Sequence, residues 1–210
     1  MVRSIILYGL FFLVIIRGVL AQEQITEYYA DQSVKAKGEK SAAAKTGKWT
    51  YFYPDGTINS IENYSNGKLQ GTVEYFFPNG ARQGVEHWTD GLLTDSAIYF
   101  YKNGAIEKKG VYEQGRYQGE WKFFHENGKI YRSVNYIDGQ PEGATRVYSE
   151  EGIRIQEGRY HQGSEDGEWK FYDESGTLSY SGAYLNGKRT GTWYKYDKKG
   201  NRKVWKYPTE

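Results

Sequence analysis

A ten-residue segment occurs twice in this chain and limits the folds that are open to it. GEWKFFHENG (119–128) returns as GEWKFYDESG (167–176), with seven of its ten letters unchanged. The two copies begin at residues 119 and 167, which is two periods of a twenty-four-residue unit. A glycine recurs with this period along the chain and marks the start of each unit. The unit starts are Gly47, Gly71, Asp95, Gly119, Gly143, Gly167 and Gly191, with Asp95 as the one departure. A fixed period without insertions predicts a stacked repeat array.

Two further glycine positions divide each unit into short segments. The first lies nine residues after the start, as in Asp55-Gly56, and the second lies twenty residues after it, as in Asn66-Gly67. Asn-Gly and Asp-Gly adopt positive φ at low cost, which the tight turns of β-hairpins require. Each unit is therefore predicted to be strand, turn, strand, turn, and the chain to be all-β.

Aromatic residues keep the same period. The chain has 21 Tyr, 9 Phe and 6 Trp, and stacked units would place like residues side by side in ladders across the sheet. Four tryptophans share one phase, two residues after a start: Trp49, Trp121, Trp169 and Trp193. These rings either pack on one another as the core or form a surface that stacks on a partner or a sugar, and we name them as candidate binding residues.

The pattern G-x-W-x-x-[YF]-[YF]-x-x-[ND]-G, followed by an aromatic residue and a second turn glycine, covers about residues 47–207. It resembles the variant form of the MORN repeat, found in bacterial proteins often labelled antitoxin components of toxin–antitoxin systems. The resemblance implies an elongated single-layer antiparallel sheet of tandem hairpins that serves as an interaction or scaffolding surface. It also implies a phospholipid contact as an alternative, since some MORN proteins are proposed to bind lipids.

The boundaries follow from the period. Residues 47–190 form six full repeats, and residues 191–210 form a partial seventh repeat with a basic cap. Residues 22–46 keep some repeat phases but lack the turn glycines, so they are either a decayed capping repeat or a flexible leader. Pro208 and the final lysines and arginines would protect the last strand from unwanted pairing.

Residues 1–21 have the order of a secretory signal, with Arg3, an apolar run from Ile5 to Ile16 and a cleavage site after Ala21. The alternative is an uncleaved anchor, but the run is shorter than the ~20 residues that a spanning helix needs. We therefore expect an exported protein, periplasmic or extracellular in a bacterium. The chain has no cysteine, so packing and backbone pairing must supply its stability without disulfides.

Catalysis requires unlike groups that converge, whereas a repeat array distributes like groups evenly. His87, His125 and His161 fall at three different phases, and the acidic pairs lie in or beside predicted turns. We therefore expect no enzymatic activity, no metal site and no cofactor.

Charge is uneven although the chain without residues 1–21 is neutral, with 26 basic and 26 acidic residues. Neutrality argues against nucleic acid as a partner. Residues 188–206, however, hold eight basic residues against Asp197 alone, and the candidate binding residues here are Lys198, Lys199, Arg202 and Lys203. Either these residues protect an exposed edge or they bind an anionic partner. We expect a protein partner, with an anionic lipid or envelope polymer and self-association as alternatives.

Overall fold

The structure is a computed structural model that describes residues 22–206, all of whose regular elements are β-strands. The predicted signal sequence, its cleavage site and Pro208 lie outside the described residues. The strands are β1 (Gln22–Tyr28), β2 (Val34–Ser41), β3 (Ala44–Phe52), β4 (Ile58–Ser65), β5 (Lys68–Leu69), β6 (Gly71–Phe76), β7 (Arg82–Thr89), β8 (Leu92–Phe100), β9 (Ile106–Glu113), β10 (Arg116–Phe124), β11 (Ile130–Ile137), β12 (Gln140–Tyr148), β13 (Arg154–His161), β14 (Ser164–Tyr172), β15 (Leu178–Leu185), β16 (Lys188–Tyr196) and β17 (Arg202–Trp205).

The 17 strands form one antiparallel sheet in which strands consecutive in the chain lie side by side, apart from β5 and β6. Neighbouring strands along the chain are hydrogen-bonded, as in β3 with β4 and β15 with β16. The short β5 and β6 together occupy one strand position, because both pair with β4. The predicted all-β sheet of successive hairpins is thus confirmed. No helix in residues 22–206 has the length and apolar character needed to cross a bilayer.

The turn glycines have the backbone conformation that their phases predict. At the second turn, Asn66 has φ 49° and Gly67 has φ 80°, and five later turns repeat this pair of positive angles. The amide of Gly67 also donates a hydrogen bond of 2.8 Å to the carbonyl of Lys45, in the preceding repeat. Asp95, which replaces glycine at a unit start, has φ 59° and therefore adopts the same left-handed conformation.

Residues 22–46 belong to the sheet. β1 pairs with β2, and β2 pairs with β3 in the register that joins later repeats. The second turn of this unit lacks glycine, and Ala42 and Ala43 adopt φ 48° and 66° in its place. The segment is thus a hairpin in which alanine occupies strained positions.

The last unit is one residue shorter than its predecessors. In β14 and β15, Trp169 pairs with Gly182 after a bulge at Tyr172. In β16 and β17, Trp193 pairs with Trp205, with no bulge. Trp205 therefore takes the place that glycine occupies in the previous repeat.

The core is a layer of aromatic rings on one face of the sheet. Trp49, Trp121 and Trp169 are fully buried, and Trp193 is 1% exposed. Each ring lies over a glycine eleven residues earlier, on the preceding strand. The pairs are Gly38 with Trp49, Gly110 with Trp121, Gly158 with Trp169 and Gly182 with Trp193, and a Cβ on any of these glycines would overlap the ring. Tyrosines pack against these rings, as Tyr117 stacks on Trp121 with ring centroids 3.8 Å apart.

Candidate functional site

The tryptophan ladder is the core of the sheet, so it is not available as a binding surface. The candidate binding residues Trp49, Trp121, Trp169 and Trp193 expose at most 1% of their surface. A ring enclosed to this degree cannot stack on a sugar or a partner side chain. Of the two alternatives left open by the sequence, the structure supports packing.

Three repeats lack the tryptophan: Thr145 stands at its position in one, and two consecutive repeats nearer the N-terminus share a different replacement. Val73 and Ala97 stand at its position, and glutamates, Glu62 and Glu86, replace the glycine eleven residues earlier. Glu86 is only 8% exposed. Its carboxylate accepts hydrogen bonds from the Tyr99 hydroxyl at 2.6 Å and from Trp88 Nε1 at 3.0 Å. The space that a large ring fills elsewhere is therefore filled by an acidic side chain and its donors.

The tyrosines that donate to these two glutamates have a raised pKa. Burial is the main cause of the raised pKa of Tyr99, and its hydrogen bond to Glu86 is the second. The pKa of Tyr64 is raised by burial and by a 2.6 Å hydrogen bond to Glu62. Both phenols, protonated at neutral pH as ordinary tyrosines are, serve as donors to the carboxylates.

A groove of about 440 Å³ lies on the face opposite to the tryptophans, across β7 to β10. Val111 and Lys109 flank Gly110, which faces Trp121, so the alternation of a strand places both on the other face. Val85, Ile98 and Val111 supply apolar surface, and Val111 is 43% exposed. The groove thus combines open apolar surface with charged groups.

Two lysines stand directly opposite each other in this groove, since Lys109 pairs with Lys122 across β9 and β10. Lys122 Nζ lies 3.1 Å from the Glu120 carboxylate, which also accepts a 2.7 Å hydrogen bond from Ser133. That hydrogen bond and then Lys122 lower the pKa of Glu120. Like charges opposite each other destabilise a sheet, and an anion placed between them would relieve this repulsion.

The three histidines do not converge. His87 lines the groove, and its Nδ1 donates to the carbonyl of Ser96 at 2.7 Å. His125 donates from Nε2 to the carbonyl of Tyr148 at 2.9 Å. It thereby continues a ladder in which Tyr29, Tyr53 and Tyr101 donate to carbonyls 23 residues later. His161 is on β13, away from the other two histidines, and its Nδ1 lies 3.3 Å from Oε1 of Glu142.

The basic candidate residues lie together at the C-terminal end of the sheet. Lys198 and Lys199 are exposed in the turn before β17, and Arg202 and Lys203 are exposed on β17. The Arg202 guanidinium lies over the ring of Tyr194, with its Cζ 4.4 Å from the ring centroid. Lys203 stands directly opposite Lys195, so this end also carries an opposed pair of like charges.

Sequence reasoning missed the groove, although the chain contains a signal for it. Residues at its strand phases are mostly charged or polar in other repeats, such as Glu157 and Lys170, but are Val85 and Ile98 here. A comparison of repeats, phase by phase, would have located this apolar interruption. That it forms a groove depends on the shape of the sheet.

Comparison with known proteins agrees with the repeat pattern. Residues 45–66, 117–138 and 165–186 match the family model described as MORN repeat variant. No curated protein matches the chain. One solved structure, a porin-like protein from Bacteroides uniformis ATCC 8492, is 8% identical and aligns over 88% of this chain and 92% of its own, with a TM-score of 0.21. A score this low carries no argument about fold or function.

Proposed function

Since the chain carries MORN-variant repeats, we propose that it is an exported, non-catalytic scaffold that binds a protein partner through the groove on β7 to β10. The observation that carries this proposal is the pairing of Lys109 with Lys122 beside exposed apolar surface. A segment with an apolar side chain and a neighbouring carboxylate would fill the groove and offset the repulsion between the two lysines. Interfaces commonly combine a desolvated apolar contact with a few charged groups at its rim.

The binding test uses a fluorescent peptide that carries leucine and glutamate side by side, with fluorescence anisotropy as the measurement. Replacing Lys109 and Lys122 by glutamine should weaken binding at least tenfold, and Val111→Asp should do the same by removing the apolar contact. Lys170→Gln is the matched control, because Lys170 has the phase of Lys122 and lies 3.6 Å from Glu168 but is outside the groove. If the parent chain does not bind the peptide, or if Lys170→Gln weakens binding equally, the groove is not the binding site.

Export is tested separately. The protein recovered from the bacterial envelope or medium should begin at Gln22 when its N-terminus is sequenced, because the apolar run of residues 1–21 is short. Recovery of the chain with its leader, in the membrane fraction, would favour the anchor alternative.

The basic C-terminal end supports a second candidate function, the binding of an anionic surface. Lys198, Lys199, Arg202 and Lys203 are all exposed, and exposed charges are screened beyond about 10 Å at 0.1 M salt. Binding to vesicles that contain anionic lipid should therefore weaken steeply with salt. Reversing these four residues to glutamate should abolish it while leaving thermal unfolding nearly unchanged. Binding that persists at low salt after the reversal would exclude this end as the lipid-binding surface.

A further inference from the structure

The two ends of the sheet display complementary strand types. At each repeat boundary, the second strand of one repeat pairs with the first strand of the next, as β13 pairs with β14 and β15 with β16. Within residues 22–206, β17 is a second strand that pairs only with β16, and β1 is a first strand that pairs only with β2. Each end therefore lacks the strand type that the other end presents. We infer that β17 of one copy of this chain pairs with β1 of another, continuing the sheet from copy to copy.

The register of this junction follows from the repeats. Tyr180 of β15 pairs with Lys195, four residues after the unit start, and Ser181 pairs with Tyr194. In β17, Lys203 takes the place of Tyr180, because both pair with the residue four positions after the preceding unit start. In β1 the corresponding residues are Glu27 and Thr26. The junction therefore places Lys203 opposite Glu27 and Val204 opposite Thr26.

Charge favours this register. The described part of β1 carries Glu23 and Glu27 with no basic residue, and β17 carries Arg202 and Lys203 with no acidic residue. Within one copy, Lys203 is paired across the sheet with the like charge of Lys195. Glu27 has a distant partner in Lys40, at 3.9 Å. Opposite charges at directly facing strand positions stabilise a sheet, so the junction adds an attractive pair beside a repulsive one.

The most exposed large apolar side chains also lie on these two edge strands. Val204 is 62% exposed and Tyr28 is 60% exposed, the two highest values among the large apolar side chains of residues 22–206. Both lie on edge strands, where addition of a strand would cover them. Unpaired edges are templates for a further chain.

The expected assembly is open-ended. A head-to-tail contact uses two different surfaces, so it does not close into a symmetric dimer unless the rotation per copy completes a ring. Sedimentation velocity of the purified chain should therefore show a concentration-dependent series of oligomers that shortens as salt is raised.

Charge reversal tests the register. Glu27→Lys and Lys203→Glu should each abolish oligomers, because each places like charges at the junction. An equal mixture of the two variants should assemble again. In the mixture, β17 of a Glu27→Lys copy faces β1 of a Lys203→Glu copy with the native pair of opposite charges. In the converse contact, the two substituted residues face each other and are again opposite in charge. Lys199→Glu is the matched control, because it makes the same charge change in the turn before β17 and should leave assembly intact. Tryptophan fluorescence would verify that each variant is folded.

Three results would overturn this inference: a parent chain that is monomeric at every concentration in low salt, a mixture that fails to assemble, or a Lys199→Glu variant as defective as Lys203→Glu. None of these outcomes affects the groove on β7 to β10, whose peptide-binding test is independent.

Discussion

At the scale of single residues, the structure shows a size rule that joins two positions eleven residues apart. Where the later position is tryptophan, the earlier position on the preceding strand is glycine, as in Trp121 and Gly110. Where the later position is a smaller residue, the earlier position is a residue larger than glycine, as in Thr145 and Val134. Gly110→Val should destabilise the fold by about 1–3 kcal/mol through overpacking, and Trp121→Thr by about 3–5 kcal/mol through a cavity. The double variant should be more stable than the sum of the two losses predicts, measured by a double-mutant cycle in urea. Strict additivity would mean that the two positions do not share space.

The half-buried tyrosines beside the glutamates make the free energy of unfolding depend on pH. The pKa of Tyr99 is raised by burial and by its hydrogen bond to Glu86. The pKa of a tyrosine in an unfolded chain is ~10. The contribution of Tyr99 to the free energy of unfolding is therefore complete below that pH, and it is lost as the pH rises toward the pKa of the folded state. The free energy of unfolding should therefore fall from pH ~10 upward, measured by denaturant titration at several pH values. Tyr99→Phe should make this decline shallower, and an unchanged slope would contradict the assignment.

At the scale of one element, the hairpin of residues 22–46 has the most strained turn of its kind. Ala42 and Ala43 adopt φ 48° and 66°, where Asn186 and Gly187 perform the same turn with φ 51° and 77°. A left-handed conformation costs a non-glycine residue about 1–2 kcal/mol, and Asn tolerates it better than Ala. Ala42→Asn with Ala43→Gly should therefore raise the free energy of unfolding by about 1–2 kcal/mol, measured by denaturant titration.

The matched opposite change, in the equivalent turn of a later repeat, is Gly139→Ala. Gly139 has φ 81°, and an added Cβ would meet the Arg116 side chain, with its Cβ at 3.5 Å, an ordinary contact. This variant should lose about 1 kcal/mol from backbone strain alone. Equal effects of opposite sign at the two turns would show that glycine acts there through φ, while no gain at Ala43 would contradict it.

At the scale of the whole molecule, the sheet should be long and thin. β5 and β6 share one position, so the described strands span roughly 70 Å at about 4.8 Å per strand. Small-angle scattering at high salt, where end-to-end pairing is suppressed, should therefore show an elongated particle. A compact globular profile would contradict an open sheet, and a length that grows at low salt would agree with pairing of β17 and β1.

The sequence alone determined the all-β fold and the order of the hairpins, because turn glycines and aromatic phases are local features that recur in every repeat. It left the role of the tryptophans open. Alternation along a strand places a side chain on one face or the other, but whether a ring is enclosed depends on what lies beside it on the next strand. The glycine beneath each ring, such as Gly158 beneath Trp169, decided that question. Pairing between strands likewise decided that Lys109 faces Lys122 and that the last hairpin lacks the bulge of the earlier ones. These features depend on register, which joins residues distant in the chain and is set by the whole sheet.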